Sequence, residues 1–158
     1  GAKLSFPDGR IQHEGITVGV GGVAVNTNSR GYFSIGNLTR NCWALTAACL
    51  MIRPEVFGEV GGFEERLRVA FNDVDLTMRI HQLGYDLVYQ PHAMLHHQES
   101  ALRGSLHPTE DEEFFRARWG EPLTYNDPYY NPRFSRHAQY YFADEVKQVW
   151  LPKGHPLA

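Results

Sequence analysis

Residues 45–89 decide the fold, in four pieces: Leu45-Thr46-Ala47-Ala48-Cys49-Leu50-Met51-Ile52; Arg53-Pro54-Glu55-Val56-Phe57-Gly58-Glu59-Val60-Gly61-Gly62; Asp73-Val74-Asp75-Leu76-Thr77-Met78-Arg79-Ile80-His81-Gln82-Leu83-Gly84; and Tyr85-Asp86-Leu87-Val88-Tyr89. The first is a nearly continuous apolar run, which reads as a buried strand. It ends at Arg53-Pro54, where proline suits the first turn of a helix because its missing N–H would have no partner there anyway. That short helix carries Val56, Phe57 and Val60 on one face and stops at Gly61-Gly62, which supply the positive φ of a helix terminus. In the third piece Leu76, Ile80 and Leu83 recur at spacings of four and three, the mark of an amphipathic helix closed by Gly84, with Asp75 and Arg79 as an i,i+4 pair. Tyr85 to Tyr89 alternates toward a second buried strand running up to Pro91. Strand, helix, helix, strand predicts an α/β layer arrangement.

Working outward, residues 4–35 are rich in glycine and β-formers. Pro7-Asp8-Gly9 makes a turn before Ile11, and the stretch through Val25 reads as short strands or a hairpin followed by a mobile, glycine-laced loop. Glycines at 19, 21 and 22 lack the following helix that a phosphate cradle requires. Toward the C-terminus, Pro108 to Gly120 places acids in its first turn and bases in its last, matching a helix macrodipole. From Asn126-Asp127-Pro128-Tyr129-Tyr130-Asn131-Pro132 onward the chain reads as an extended aromatic tail packed across the domain surface.

The 158 residues, 42% hydrophobic and 13% aromatic, suffice for one core. A net charge of −3 without a basic block argues against nucleic acid as a partner and against a polybasic membrane anchor. Cys42 and Cys49 are seven apart, on opposite faces if extended, so reduced thiols in a cytosolic setting are expected. No apolar run approaches 20 residues and no secretory signature opens the chain, so no transmembrane segment is expected and the location is read as cytoplasmic.

Asn72 and Asp73 stand where a helix begins, the place of N-capping side chains. Asp73-Val74-Asp75 invites a divalent-metal reading, but i and i+2 on a helix do not share a face. His96-His97 follows a strand, so only one imidazole faces a given side, and one imidazole is an incomplete metal site. A hydrolase centre built from His92, His96, His97 and Asp73 shows no complete ligand set.

Taken in order, residues 44–53, 57–65 and 71–79, then Gly84-Tyr85, Pro91-His92-Ala93 and His97-Gln98-Glu99-Ser100, resemble the C-terminal half of family 2 glycosyltransferases of the GT-A fold, above all bacterial enzymes that build polysaccharide and O-antigen chains. The resemblance runs from about Leu4 to Asn131-Pro132 and includes Pro7 to His13 and Asp127 to Pro132. It implies the C-terminal part of a GT-A fold: a mixed sheet flanked by helices, without the N-terminal nucleotide-binding βαβ units. Residues 1–136 would be the acceptor-side half and 137–158 a C-terminal tail. The family's helix-opening Glu-Asp pair corresponds to Asn72-Asp73, so the resemblance makes Asp73 the general base of an inverting hexosyl or deoxyhexosyl transfer. Asn72, in place of the usual acid, and Asp75 would support it.

His97 falls at the family's metal position, for Mn²⁺ or Mg²⁺ in the full-length enzyme, with weak or absent binding in this chain alone. Ser100 and Arg103, in the loop beyond, are candidates for the diphosphate, which suits the forked donors of arginine. Thr46 and Ala47 offer small side chains where an acceptor would approach the backbone. Trp43, with Phe71 and Trp119, would give a sugar face an apolar platform, although tryptophans in a domain of this size belong mostly to the core. The expected partners are a nucleotide-diphosphate sugar, held mainly by the missing half, and a glycan or lipid-linked acceptor, with peripheral membrane association of the full-length protein. Alone, the chain is expected to be inactive. The competing reading is a non-catalytic carbohydrate-binding or assembly domain on the same scaffold.

Overall fold

A computed structural model describes residues 1–27, 32–98, 109–125 and 127–136; Ser100, Arg103 and the 137–158 tail lie outside them. Strands β1 (Ala2–Ser5), β2 (Ile11–His13), β5 (Arg40–Asn41) and β6 (Val88–His96) form a mixed sheet in the order β2-β1-β6-β5. β1 is antiparallel to β2 and parallel to β6, while β5 is antiparallel to β6. Strands β3 (Ile16–Val18) and β4 (Ala24–Asn26) make a separate antiparallel hairpin. The glycine string is the loop of that hairpin, with Gly19 N–H donating to Val23 O at 2.9 Å. Helices α1 (Pro54–Glu59), α2 (Asn72–Gln82) and α3 (Thr109–Tyr125) complete a mixed α/β fold.

The apolar run at 45–52 corrects the sequence reading, because it is not a strand. Trp43, Ala44 and Leu45 are buried, but Thr46 Oγ1 accepts the Ala48 N–H at 3.3 Å and starts a 3-10 turn over Ala47–Cys49. A hydroxyl that bonds the local backbone competes with a sheet ladder. The chain then leaves the core so far that Met51 is 93% exposed.

α1 begins at Pro54, as expected, and gives way to Gly61 and Gly62 at φ of 78° and 73°. The strand expected to stop at Pro91 instead continues to His96. Its register against β1 jumps from Ala2↔Gln90 to Lys3↔Met94, so Pro91, which has no N–H to give a ladder, sits at a bulge. α3 also outruns its prediction, passing Gly120 to reach Tyr125, so Arg116 and Arg118 stand mid-helix rather than in its last turn. One helical glycine costs only about 1 kcal/mol, which the packing of Phe115 and Trp119 offsets.

α2 divides the core. Val74 and Met78 face Ile16, Val18, Trp43, Phe115 and Trp119, whereas Leu76 and Ile80 face Cys42, Leu45, Val56, Leu87 and Tyr89. Leu83, the third residue of the predicted stripe, is exposed at the helix end. Each fully buried side chain of this size contributes about 1.5–3 kcal/mol, so α2 is fixed from two sides. That rigidity holds its N-terminus in place. The tail at 127–136 does pack across the surface: Tyr130 and Phe134 cover Val20, and the Asp127 carboxylate accepts the Val18 N–H at 3.2 Å. Cys42 and Cys49 are free thiols. Among the described residues no helix is long and apolar enough to cross a membrane.

Candidate functional site

The N-terminus of α2 is built on a strained residue. Phe71 precedes it at φ 61°, ψ 2°, the left-handed region, at a cost of about 1–2 kcal/mol for a residue with a Cβ. Its ring stacks on Phe115 with centroids 4.9 Å apart, which offsets part of that strain. Phe71 has no side-chain acceptor for the first turn, so the capping expected of Asn72 and Asp73 falls to Asp73 alone. Asp73 Oδ1 accepts the Val74 N–H at 2.9 Å and Oδ2 accepts the Ala47 N–H at 3.0 Å. Thr77 Oγ1 donates to Asp73 O at 2.7 Å and also approaches the Leu45 N–H at 3.4 Å, tying the same helix to the same loop.

Asp73 is thus a half-exposed carboxylate at the positive end of a helix, seated on the turn that begins at Thr46. The structure brings Asp73, Thr46 and Ala47 together. Trp43 lies in the core behind them, 8% exposed. Trp119 is buried as well, and Asn72 is half-buried at the first helical position.

Asp75 faces elsewhere. It is fully buried, with Arg79 Nε at 2.8 Å from Oδ2, and Trp119 Nε1 at 2.9 Å and Arg118 Nε at 3.3 Å from Oδ1. Arg79 extends the network by donating to Val60 O and Gly62 O, both at 2.7 Å. Any support Asp75 gives Asp73 therefore passes through the placement of α2, not through contact with a ligand.

His97 follows β6, its N–H donating to Ser5 O at 2.8 Å and its Nδ1 lying 3.0 Å from Gln12 Oε1. An amide oxygen accepts, so Nδ1 donates to it, as the non-ligating nitrogen of a metal-bound imidazole does. His96 turns to Ser5 Oγ at 2.9 Å. Among the described residues no three His, Cys, Asp or Glu side chains gather closely enough to hold an ion. Among the described residues His97 stands without a second and a third ligand beside it, so they make no complete metal centre.

Two residues that sequence reasoning left without a role stand next to each other on β2. Gln12 holds His97. Its neighbour His13 is 1% exposed, its Nδ1 lies 2.7 Å from Asn26 Oδ1, and the charge of Asp73 reaches its ring. Burial pushes the His13 pKa down to about 4, against the opposing pull of Asn26 and Asp73. Strict alternation would send adjacent side chains to opposite faces. β2, however, pairs Leu4 with His13 and Ser5 with Ile11, which makes Gln12 the extra residue of a bulge, a device that re-aims side chains. The signal available in the sequence was two consecutive polar residues, Gln12-His13, following Ile11 in a short strand.

Over 149 residues, 85% of its length, the chain is 42% identical to the uncharacterized protein y4gI of Sinorhizobium fredii. Over 146 residues, again 85%, it is 35% identical to the O-antigen biosynthesis protein RfbC of Myxococcus xanthus. A stretch of 55 residues, 34% of the chain, is 46% identical to the N-acetylglucosaminyl-diphospho-decaprenol L-rhamnosyltransferase of Mycobacterium tuberculosis. The chain is a glycosyltransferase-related region. It spans 16%, 11% and 18% of the length of these three relatives, so each of them is a far longer polypeptide than the part it shares with this region. No family model matches the region, and no solved structure matches it significantly.

Proposed function

We propose that this region is the acceptor-side half of an inverting, family 2 glycosyltransferase of GT-A type, with Asp73 as its general base. The observation that carries the reading is the seat of Asp73: a half-exposed carboxylate at the start of a helix fixed from two sides, held by two backbone N–H groups beside the Thr46-Ala47 turn. Each carboxylate oxygen that accepts one N–H keeps a further lone pair for a proton. In the reaction the acceptor hydroxyl gives its proton to Asp73 while its oxygen attacks the anomeric carbon of the donor sugar. The bond from that carbon to the diphosphate oxygen breaks, its electron pair leaves with the diphosphate, and the configuration inverts.

A divalent ion, Mn²⁺ or Mg²⁺, would neutralise charge on the departing diphosphate when bound. From this chain His97 would hold it through Nε2, with Gln12 fixing the ring. Ser100 and Arg103, a few positions further along the sequence, would meet the diphosphate. The name of the rhamnosyltransferase relative supports a deoxyhexosyl donor and a lipid-linked diphosphate acceptor. The nucleotide-binding half would lie elsewhere in the full-length protein, and this region alone would not turn over.

The test is Asp73→Asn in the full-length protein, assayed with nucleotide-diphosphate deoxyhexoses and an N-acetylglucosaminyl-diphosphate lipid. Transfer falls by about 10²- to 10⁴-fold, the usual contribution of a positioned base, while nucleotide-sugar binding is retained. Turnover equal to the parent protein's would remove Asp73 from the role.

A further inference from the structure

A groove of about 260 Å³ opens on the side of α2 that carries Leu76 and Ile80. Its walls are apolar: Met51 and Ile52 from the chain that follows the 3-10 turn, Val56 from α1 and Val88 from β6, together with the buried Leu45 and Ile80. Met51 is 93% exposed and Val88 44%, so apolar surface is left to water along its rim. Single apolar residues are ordinary on a protein surface, whereas a groove that gathers them marks a binding site. The groove and the seat of Asp73 share one stretch of chain. Ala47 N–H meets Asp73 Oδ2 at 3.0 Å, and the segment that carries it gives the groove Leu45 before the turn and Met51 and Ile52 after it. Ile80 stands seven residues beyond Asp73 on the same helix, which puts the groove about 10 Å along α2 from that carboxylate. Arg53 also lines it and is exposed, its guanidinium 5.4 Å from the centroid of the Tyr85 ring. The one acid among the lining residues, Asp86, is engaged by Asn41 Nδ2 at 3.1 Å. A ligand that suits the whole surface carries a hydroxyl for Asp73, an anion for Arg53 and an apolar chain for the groove.

We propose that this groove binds the near end of the prenyl chain of a lipid-linked sugar diphosphate acceptor, with Arg53 meeting the acceptor's diphosphate. The inference rests on Asp73 being the base and on the acceptor being a sugar diphosphate lipid. It adds a seat for the lipid itself, so that this region selects its acceptor by the chain as well as by the sugar. Sugar, diphosphate and prenyl chain follow one another in such a molecule in the order in which Asp73, Arg53 and the groove would take them. A groove of about 260 Å³ is too small for a long prenyl chain, so only the units next to the diphosphate enter it. Met51, unbranched and adaptable, suits the irregular outline of a branched chain. Each methylene removed from water adds about fourfold in affinity, so the acceptor KM falls over the first units and then levels off.

The experiment uses the full-length protein, a nucleotide-diphosphate deoxyhexose as donor, and N-acetylglucosaminyl diphosphates that end in a methyl group or in prenyl chains of increasing length, all in one detergent. In the parent protein the acceptor KM is expected to fall by at least about tenfold from the methyl to the prenyl acceptors. Met51→Ser together with Ile52→Ser is expected to raise the KM of the prenyl acceptors by about tenfold, with kcat within a few-fold and the methyl acceptor unaffected. Met51→Ser alone, at a position 93% exposed, keeps the fold and is expected to raise the same KM by several-fold, so the inference stays testable if the double variant does not fold. Arg53→Gln is expected to raise the KM of methyl and prenyl acceptors alike. A KM independent of chain length in the parent, or one for the prenyl acceptors that M51S leaves unchanged, alongside an inactive Asp73→Asn, would overturn the inference and leave the base intact. Equal losses with methyl and prenyl acceptors, accompanied by a lower urea midpoint, would overturn it too and give the groove to another segment of the full-length protein. Weaker binding of M51S to acceptor-free phosphatidylcholine vesicles, at an unchanged KM, would give it to the bilayer instead. Full transfer by Asp73→Asn, or no transfer by the parent protein to any of these acceptors, would overturn the underlying reading and this inference with it.

Discussion

Replacing Asp75 by alanine separates structural support from chemistry more sharply than any other single change. Asp75 is fully buried and answers three donors: Arg79 at 2.8 Å, Trp119 at 2.9 Å and Arg118 at 3.3 Å. Its removal leaves the Arg79 guanidinium, whose side chain is only 13% exposed, without its counter-charge, and the indole N–H of Trp119 without an acceptor. Breaking a buried pair by deleting one partner costs about 3–5 kcal/mol, a large share of the roughly 5–15 kcal/mol that keeps a domain folded. Arg118 adds little, because it is one-third exposed and screened by solvent. With a urea dependence of about 2 kcal/mol per molar, the midpoint of unfolding drops by about 2 M. Asp73→Asn, at a half-exposed helix terminus, loses about 0.3–1 kcal/mol and moves the midpoint by less than about 0.5 M. The assay is urea unfolding of both variants, followed by tryptophan fluorescence and circular dichroism. A D75A midpoint within about 0.5 M of the parent's would refute the claim that this network fastens α2 to α3.

His13 makes stability depend on pH. Its pKa is about 4 in the folded state, below the ordinary 6.5, so the unfolded chain takes up the proton first as pH falls. Stability is full above about 6.5 and drains away toward about 4; at about 1.4 kcal/mol per unit the swing is of order 3 kcal/mol. Urea midpoints measured between pH 4.5 and 7 should fall less steeply in His13→Gln than in the parent. At Gly36 an added methyl would collide with the Glu14 carboxylate, which is buried against Lys3 Nζ at 2.8 Å. Gly36→Ala should cost about 1–3 kcal/mol and lower the calorimetric Tm by about 5 °C for a chain of this size; an unaltered Tm would show that Glu14 moves aside freely.

Local chemistry made much of the fold legible. Pro54 and Gly61-Gly62 fixed the ends of α1, the spacing of Leu76 and Ile80 found α2, and the acids at 110–112 found the start of α3. The failures share a cause. The run at 45–52 is apolar enough for a strand, yet Thr46 bonds to Ala48 and Ala47 bonds to Asp73, 26 residues away, and no window of local sequence contains that second partner. Pro91 looked like a strand end because its missing N–H was weighed without β1, which accommodates it at a bulge. Gly120 looked like a helix end because the burial of Trp119 against Ile16, Val18 and Trp43 lies outside the helix itself.

The same division runs through the site. By itself the sequence determined which side chains are available: a carboxylate at the head of α2, a histidine closing β6, and a mixed α/β order of elements, all of which follow from periodicity, caps and turn residues acting over a few positions. Only the tertiary structure decided what those side chains do for one another. It seated Asp73 on the turn after Thr46, sent Asp75 into the core to meet Trp119, and put Gln12 on His97 and His13 within the field of Asp73. Hydrogen bonds and burial act through space, and the partners that fix Asp73, Asp75 and His97 are separated from them by 26, 44 and 85 positions of chain.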